Sequence, residues 1–169
     1  MTEPNRRAVG WSEIEVMTMN LARKIMAAGG DYDVIIGIAR GGMIPASLLA
    51  KILPHGMILS AHLKRYEQGT TESTAFPKIL AFPPDELLRR KKVLIVDEVW
   101  DYGDTIIGAI QRANLAEPHL LHTAVLHFKP TRNRYPCARP TYAVEETADW
   151  IDYPWEVFES AFLAITPTS

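Results

Sequence analysis

Acidic residues, a glycine and a threonine follow one apolar stretch near the middle of this 169-residue chain. The stretch, residues 92–96, is rich in β-branched residues, which is typical of a buried parallel strand. Ligands of open α/β sheets bind at the carboxyl ends of such strands, and a helix that begins there attracts anions. The pattern therefore predicts a site for sugar hydroxyls, hydrated Mg²⁺ and phosphate, formed by Asp97, Glu98, Asp101, Gly103 and Thr105.

The residue types agree with that chemistry. Asp97 and Glu98 would hold sugar hydroxyls or the metal ion. Gly103 would let the backbone approach a phosphate, and Thr105 would offer a hydroxyl at the start of a helix predicted over residues 105–113. Ordinary helix capping is the alternative explanation for one or two of these residues.

This stretch resembles the phosphoribosyl-diphosphate (PRPP) signature of the type I phosphoribosyltransferases, which is a strand, two acidic residues and a later Asp-Thr-Gly-x-Thr. The resemblance implies that Asp101 accepts a proton near purine N7. Two positions depart from the signature: Tyr102 replaces a threonine, and the Asp104 carboxylate would repel a phosphate. We therefore expect Asp104 to point to solvent, or phosphate to bind more weakly than is usual. The PRPP-binding residues implied here are Asp97, Glu98, Asp101, Tyr102, Gly103, Asp104 and Thr105.

A second strand and glycine turn, residues 33–46, looks like the diphosphate-binding loop of the same family. Pro45 suits the first turn of the helix that follows the turn. The resemblance implies that Arg40, Gly41 and Gly42 bind the diphosphate and that a strained peptide bond turns a backbone N–H toward it. Taken alone, the segment also fits an ordinary Gly-Gly turn.

Two further segments resemble the xanthine-guanine and archaeal hypoxanthine-guanine branch of the family. One is a strand ending in Lys129-Pro130, and the other is Trp-Ile-x-x-Pro-Trp-Glu over residues 150–156. The resemblance implies that Lys129 binds the purine 6-oxo group, that Trp150 and Ile151 contact the base, and that Asp97 and Glu156 hold the metal. The alternatives are a solvated lysine and tryptophans that only pack in the core.

Strands alternate with helices along the chain. An amphipathic helix is predicted to begin at a capping box, Ser12 with Glu15, and to end at Gly29-Gly30. Its apolar face would contain Ile14, Met17, Leu21 and Ile25. A further helix is predicted at residues 45–53, and strands at residues 34–38, 57–63, 92–96, 121–128 and 141–144.

This order predicts an α/β fold with a mostly parallel twisted sheet flanked by helices. The resemblance implies the type I phosphoribosyltransferase fold, in a single domain over residues 1–169, with a small C-terminal hood over about residues 140–169. A polar tract at about residues 66–78 would be a flexible loop that closes over PRPP. Lys64, Arg65 and Tyr66 at its start are candidate diphosphate contacts.

Composition excludes several classes of protein. The formal net charge of −2 and scattered basic residues argue against nucleic-acid binding. No apolar run reaches the roughly 18 residues that span a membrane, so we expect no membrane partner. A lone Cys137 and the absence of a signal-peptide pattern predict a cytoplasmic protein.

The resemblance implies an Mg²⁺-dependent purine phosphoribosyltransferase that forms a dimer or tetramer. It would transfer the 5-phosphoribosyl group from PRPP to guanine, hypoxanthine or xanthine and release diphosphate. Two alternatives stay open, a non-catalytic nucleotide-binding regulator and a phosphoribosyltransferase for another base. A carboxylate-nucleophile phosphatase is disfavoured, since Asp97-Glu98-Val99 lacks the Asp-x-Asp arrangement that it would need.

Overall fold

A computed structural model describes residues 5–54, 56–64 and 77–158. Its larger sheet has six strands in the order β4-β3-β2-β5-β6-β7, and its smaller sheet pairs β1 with β8. The elements are β1 (Arg6–Ala8), α1 (Trp11–Ala27), β2 (Val34–Ala39), α2 (Met43–Ile52), β3 (Met57–Lys64), β4 (Lys78–Ala81), α3 (Asp85–Leu88), β5 (Lys92–Trp100), α4 (Asp104–Asn114), β6 (Leu120–Phe128), β7 (Tyr142–Glu146) and β8 (Trp150–Asp152).

All neighbouring strands of the larger sheet run parallel, except that β4 is antiparallel to β3 at one edge. Side chains on both faces of this sheet are buried. Ile35 and Leu94 pack with α1 and α2 on one face, whereas Ile36 and Ile95 pack with α4 on the other. The prediction of a mostly parallel sheet flanked by helices is confirmed.

The strand order places a crevice between β2 and β5. The chain leaves β2 through α2 toward β3, and it leaves β5 through α4 toward β6, so the two connections diverge. A point where strand order reverses is where open α/β sheets bind ligands. Both sequence motifs therefore end at the same crevice.

Helix α1 buries the predicted face, including Ile14 and Leu21. The predicted capping box is wrong, because the helix begins at Trp11 with Gly10 as its N-cap and no side chain caps it. Ser12 thus lies inside the first turn. The end is as predicted: Gly29 has φ +69°, and the Gly30 N–H donates to the Ile25 carbonyl (2.8 Å).

Several elements differ from the sequence prediction. Strand β5 continues to Trp100, so the acidic pair belongs to the strand itself. Strands β1, β4 and β8 and helix α3 were not predicted; they span only three or four residues each, too few for a periodic pattern. Most of the predicted loop at residues 66–78 lies outside the described residues, as do Arg65 and Tyr66. None of the helices in the described ranges is long and apolar enough to span a membrane.

Candidate active site

The glycine turn after β2 packs directly against the acidic pair at the end of β5. A Cβ on Gly41 would overlap the Glu98 carboxylate, and one on Gly42 would lie 2.7 Å from Asp97 Oδ1 and 2.8 Å from the Ile38 carbonyl oxygen. Only glycine fits at either position without displacing these neighbours. The peptide bond between Ala39 and Arg40 is cis. The structure thus brings the two predicted motifs into contact.

The two carboxyl groups of the acidic pair are buried side by side. Burial raises the pKa of the Asp97 carboxyl well above its usual range, and the adjacent Glu98 carboxylate raises it further. The Glu98 backbone N–H donates to Asp97 Oδ1 (2.9 Å) and opposes this shift. Glu98 Oε2 is buried and accepts no hydrogen bond from any residue that the structure describes. A bound cation or a sugar diol would satisfy both carboxylates.

Two cavities meet at Glu98. One has a volume of about 330 Å³, and its lining includes Arg40, Gly41 and Glu156. The other, of about 230 Å³, is lined by residues 97–106. Glu98 lines both, so the two cavities adjoin along the crevice. Glu156 and Glu98 thus line the same cavity, and Asp97 lines the second one.

Residues 101–105, which we call the phosphate loop, turn from β5 into α4. Gly103 has φ +91°, which side chains rarely adopt, and a Cβ there would meet Trp100 Nε1 at 2.6 Å. The Ile107 N–H donates to the Gly103 carbonyl (2.9 Å) and closes the first turn. The loop therefore has the tight turn and helix N-terminus that the sequence predicts.

The expectation that Asp104 points to solvent is wrong. Only 9% of its side chain is accessible, and its carboxylate accepts hydrogen bonds from Arg134 Nη1 and the Tyr135 hydroxyl, each at 3.0 Å. The ion pair with Arg134 offsets the cost of burying the Asp104 charge, so this carboxylate does not need to face water.

The segment 132–135, which we call the arginine segment, was missed by sequence reasoning. Arg132 Nε lies 2.5 Å from Asp101 Oδ1 in an ion pair, and an Arg132 terminal nitrogen donates to the Tyr102 hydroxyl (2.7 Å). The Asn133 side chain accepts a hydrogen bond from Trp100 Nε1 (3.1 Å). Two arginines shortly after Lys129 were the available signal, but sequence alone does not tell which carboxylates they meet.

The predicted base-binding residues lie close together. Lys129 is buried at 4% exposure, and its Nζ lies 5.2 Å from the centroid of the Trp150 ring. Burial lowers the pKa of Lys129, which the nearby Asp101 carboxylate partly opposes. Trp150 is 43% exposed and Ile151 is buried on β8. The alternative of a solvated lysine does not hold.

A buried hydrogen-bond chain links this region to the acidic pair. The Tyr153 hydroxyl donates its proton to the Glu98 carbonyl (3.0 Å). The same hydroxyl lies 2.7 Å from His127 Nδ1, so it accepts a hydrogen bond there and Nδ1 is the protonated ring nitrogen. His127 Nε2 is then unprotonated, buried and without a hydrogen-bond partner in the described part of the chain. Burial lowers the pKa of His127 to about 4. No sequence pattern had singled out either residue.

Comparison with known proteins agrees with this geometry. A xanthine-guanine phosphoribosyltransferase of Cereibacter sphaeroides is 27% identical over 157 residues, which cover 88% of this chain and 86% of the relative. A purine phosphoribosyltransferase of Pyrococcus horikoshii Ot3 has a TM-score of 0.74 and 32% identity, with 89% of this chain and 93% of that chain covered. A hypothetical protein of Neisseria gonorrhoeae, solved with bound ppGpp, has a TM-score of 0.79 and 28% identity, with 97% and 98% covered.

These likenesses confirm the predicted type I phosphoribosyltransferase fold. Residues 10–160 match the family described as Phosphoribosyl transferase domain, and this range contains the glycine turn, the acidic pair and the phosphate loop. The chain therefore belongs to the phosphoribosyl transferase domain family.

Proposed function

We propose that this protein is a purine phosphoribosyltransferase that joins the 5-phosphoribosyl group of PRPP to a 6-oxopurine and releases diphosphate. The observation that carries the proposal is the contact between the glycine turn and the acidic pair, where a Cβ on Gly42 would meet the Asp97 backbone and one on Gly41 would displace the Glu98 carboxylate. In this proposal the glycine turn binds the diphosphate, and the neighbouring acidic pair binds the ribose diol and the metal ion. Relatives named as xanthine-guanine phosphoribosyltransferases support the choice of base.

Each part of PRPP has a matching part of the crevice. Arg40 and the N–H groups of the glycine turn bind the diphosphate as it leaves C1 of the ribose. Asp97 and Glu98 hold the 2′- and 3′-hydroxyls, and residues 101–105 bind the 5′-phosphate through backbone N–H groups and the helix N-terminus. Binding at three points fixes C1 relative to the incoming base, so positioning contributes much of the rate enhancement.

The acidic groups of the crevice fit Mg²⁺. Hard carboxylate oxygens are its preferred protein ligands, and one or two of them suffice when substrate phosphates complete the coordination. We infer that Asp97 and Glu156 hold the ion, although within the described ranges no three such side chains are clustered as a protein-only metal site. When bound, the ion would neutralise the leaving diphosphate and favour the ionised form of Asp97.

The purine lies against β8 in this proposal. Lys129 donates to the 6-oxo group, Trp150 covers one face of the base, and the backbone near Ile151 meets its edge. Asp101 accepts the proton near N7 as N9 bonds to C1, which carries positive charge after the diphosphate departs. The N9 atom attacks from the face opposite the diphosphate, and the configuration at C1 inverts.

A homo-oligomer in the cytoplasm is also part of the proposal. Trp11, Val16 and Leu48 are 54%, 58% and 39% exposed, and a largely apolar cavity of about 780 Å³ lies between the start of α1 and α2. An exposed apolar surface of this kind is typical of protein interfaces. Sedimentation of the purified protein distinguishes a monomer from a dimer or tetramer.

A non-catalytic nucleotide-binding regulator is the second candidate. The observation that favours it is the ppGpp bound to the Neisseria gonorrhoeae protein, to which this chain is similar over nearly its full length. A regulator would keep the phosphate loop without needing Asp101 as a base. The departures at Tyr102 and Asp104 lie in that loop.

The two candidates differ in turnover. The purified protein is mixed with PRPP, Mg²⁺ and, separately, guanine, hypoxanthine, xanthine, adenine, uracil or orotate, and nucleotide is quantified by chromatography. We expect product from the 6-oxopurines alone. If no base gives product and calorimetry shows tight ppGpp binding, the enzyme assignment is rejected in favour of the regulator. Product from adenine or a pyrimidine would reject the 6-oxopurine as the substrate base.

A further inference from the structure

The arginine segment contacts the phosphate loop through a backbone hydrogen bond and cation–π contacts as well as through ion pairs. The Arg134 backbone N–H donates to the Tyr102 carbonyl (3.1 Å). The guanidinium carbons of Arg132 and Arg134 lie 4.6 and 4.4 Å from the centroid of the Tyr102 ring. Tyr102, at the position where the family has a threonine, therefore serves as a platform for two cations.

The second departure from the family signature has a partner in the same segment. The buried Asp104 carboxylate accepts one hydrogen bond from the Arg134 guanidinium and one from the Tyr135 hydroxyl. Burial raises the pKa of Tyr135, and the hydrogen bond to Asp104 raises it further, so the phenol keeps the proton that it donates. The Arg134 charge thus compensates that of the Asp104 carboxylate, and the two hydrogen bonds fix the orientation of the Asp104 side chain.

The charges of the loop balance only when the arginine segment is included. Asp101 and Asp104 would give the phosphate loop two negative charges, and a phosphate monoester adds a charge of about −1.5 to −2. Arg132 pairs with Asp101 and Arg134 with Asp104, so each carboxylate has its own guanidinium. Without Arg134, the Asp104 charge at the start of α4 would oppose the attraction of the helix N-terminus for an anion.

We propose that Arg134 is a positioning residue for the 5′-phosphate of the substrate, because it neutralises Asp104 and holds that carboxylate in its ion pair. The two departures, Tyr102 and Asp104, then form one unit with Arg132 and Arg134, and the loop retains its affinity for phosphate. The inference rests on the proposed function, since it takes residues 101–105 as the 5′-phosphate site.

The test measures ribose 5-phosphate binding by calorimetry, with ribose as the control for binding that does not need the phosphate. Arg134→Met should weaken ribose 5-phosphate binding about tenfold, which corresponds to ~1.4 kcal/mol. The double variant Arg134→Met with Asp104→Asn should bind within about threefold of the wild type. The single variant Arg134→Lys, which keeps the charge, should do the same. Arg139→Met is the matched control, because Arg139 is an exposed arginine that pairs with Glu146.

A merely structural role predicts a different pattern. Asp104→Asn alone would then weaken binding, whereas the proposal expects affinity equal to or above that of the wild type. The proposal is overturned if Arg134→Met binds like the wild type, if the double variant is as weak as Arg134→Met, or if the wild type shows no phosphate-dependent binding. Thermal unfolding of each variant checks that it is folded. Phosphate-dependent binding without turnover of any base would defeat the proposed enzyme activity and leave this inference standing.

Discussion

His127 gives the protein a specific sensitivity to acid. The His127 side chain is fully buried next to Tyr153, and burial lowers its pKa from 6.5 to about 4. Well above pH 6.5 the histidine is neutral in both the folded and unfolded states and contributes no pH dependence. Below that pH the unfolded chain takes up a proton that the folded protein excludes, so the stability falls as the pH falls, until the folded protein is also protonated near pH 4.

The size of the effect follows from the two pKa values. The free energy of unfolding should fall by about 2 kcal/mol at pH 5 and about 3 kcal/mol at pH 4 through this group alone. The assay is urea unfolding between pH 7 and 4 for the wild type and His127→Asn, whose amide can still donate to the Tyr153 hydroxyl without titrating. Other groups titrate equally in both proteins, so the difference between the curves isolates His127. Parallel curves would refute the buried neutral histidine.

Three substitutions test the crevice. Gly42→Ala should raise the KM for PRPP at least tenfold and lower the free energy of unfolding by about 1–3 kcal/mol, because its Cβ would lie 2.8 Å from the Asp97 Cα and from the Ile38 carbonyl oxygen, which are backbone atoms. Steady-state kinetics and urea unfolding measure these changes, and wild-type values would contradict the contact. Asp101→Asn should lower kcat roughly 10²- to 10⁴-fold with base affinity unchanged, and an unaltered kcat would remove it as the base. Lys129→Met should raise the KM for the 6-oxopurine roughly 10- to 100-fold and leave that for PRPP unchanged; equal changes in both would argue against a base contact.

The sequence predicts most of the frame because its signals are local. Apolar runs locate the long strands. The family resemblance assigns both motifs to PRPP binding, and in the structure they meet at one crevice. The capping-box prediction is wrong because the helix begins at Trp11, one residue before Ser12, and Gly10 is its N-cap. Strand β1 was missed because its strand partner within the described ranges is β8, far along the chain, where Trp150 lies opposite Arg6 in the register. Such pairing across the whole chain leaves no local pattern.

The wrong or missing predictions at the site also concern contacts between residues that are far apart in the sequence. The sequence around Asp104 shows no partner for its carboxylate, so the side chain is expected to face water. Its burial is explained by hydrogen bonds from Arg134 and Tyr135, about 30 residues later. His127 and Tyr153 likewise lie 26 residues apart and become a pair only when β6 and the segment after β8 meet. Residue types and spacing therefore predict the parts of a site, whereas charge compensation depends on tertiary contacts.

Base-dependent release of diphosphate tests the central claim most directly. The protein is incubated with PRPP and Mg²⁺, with and without guanine, and diphosphate and nucleotide are quantified together over time. We predict that diphosphate appears at an appreciable rate only when guanine is present, and in a one-to-one ratio with guanosine monophosphate. Diphosphate release that is independent of the base, or no nucleotide from guanine, hypoxanthine or xanthine, would contradict the assignment of this crevice to purine phosphoribosyl transfer.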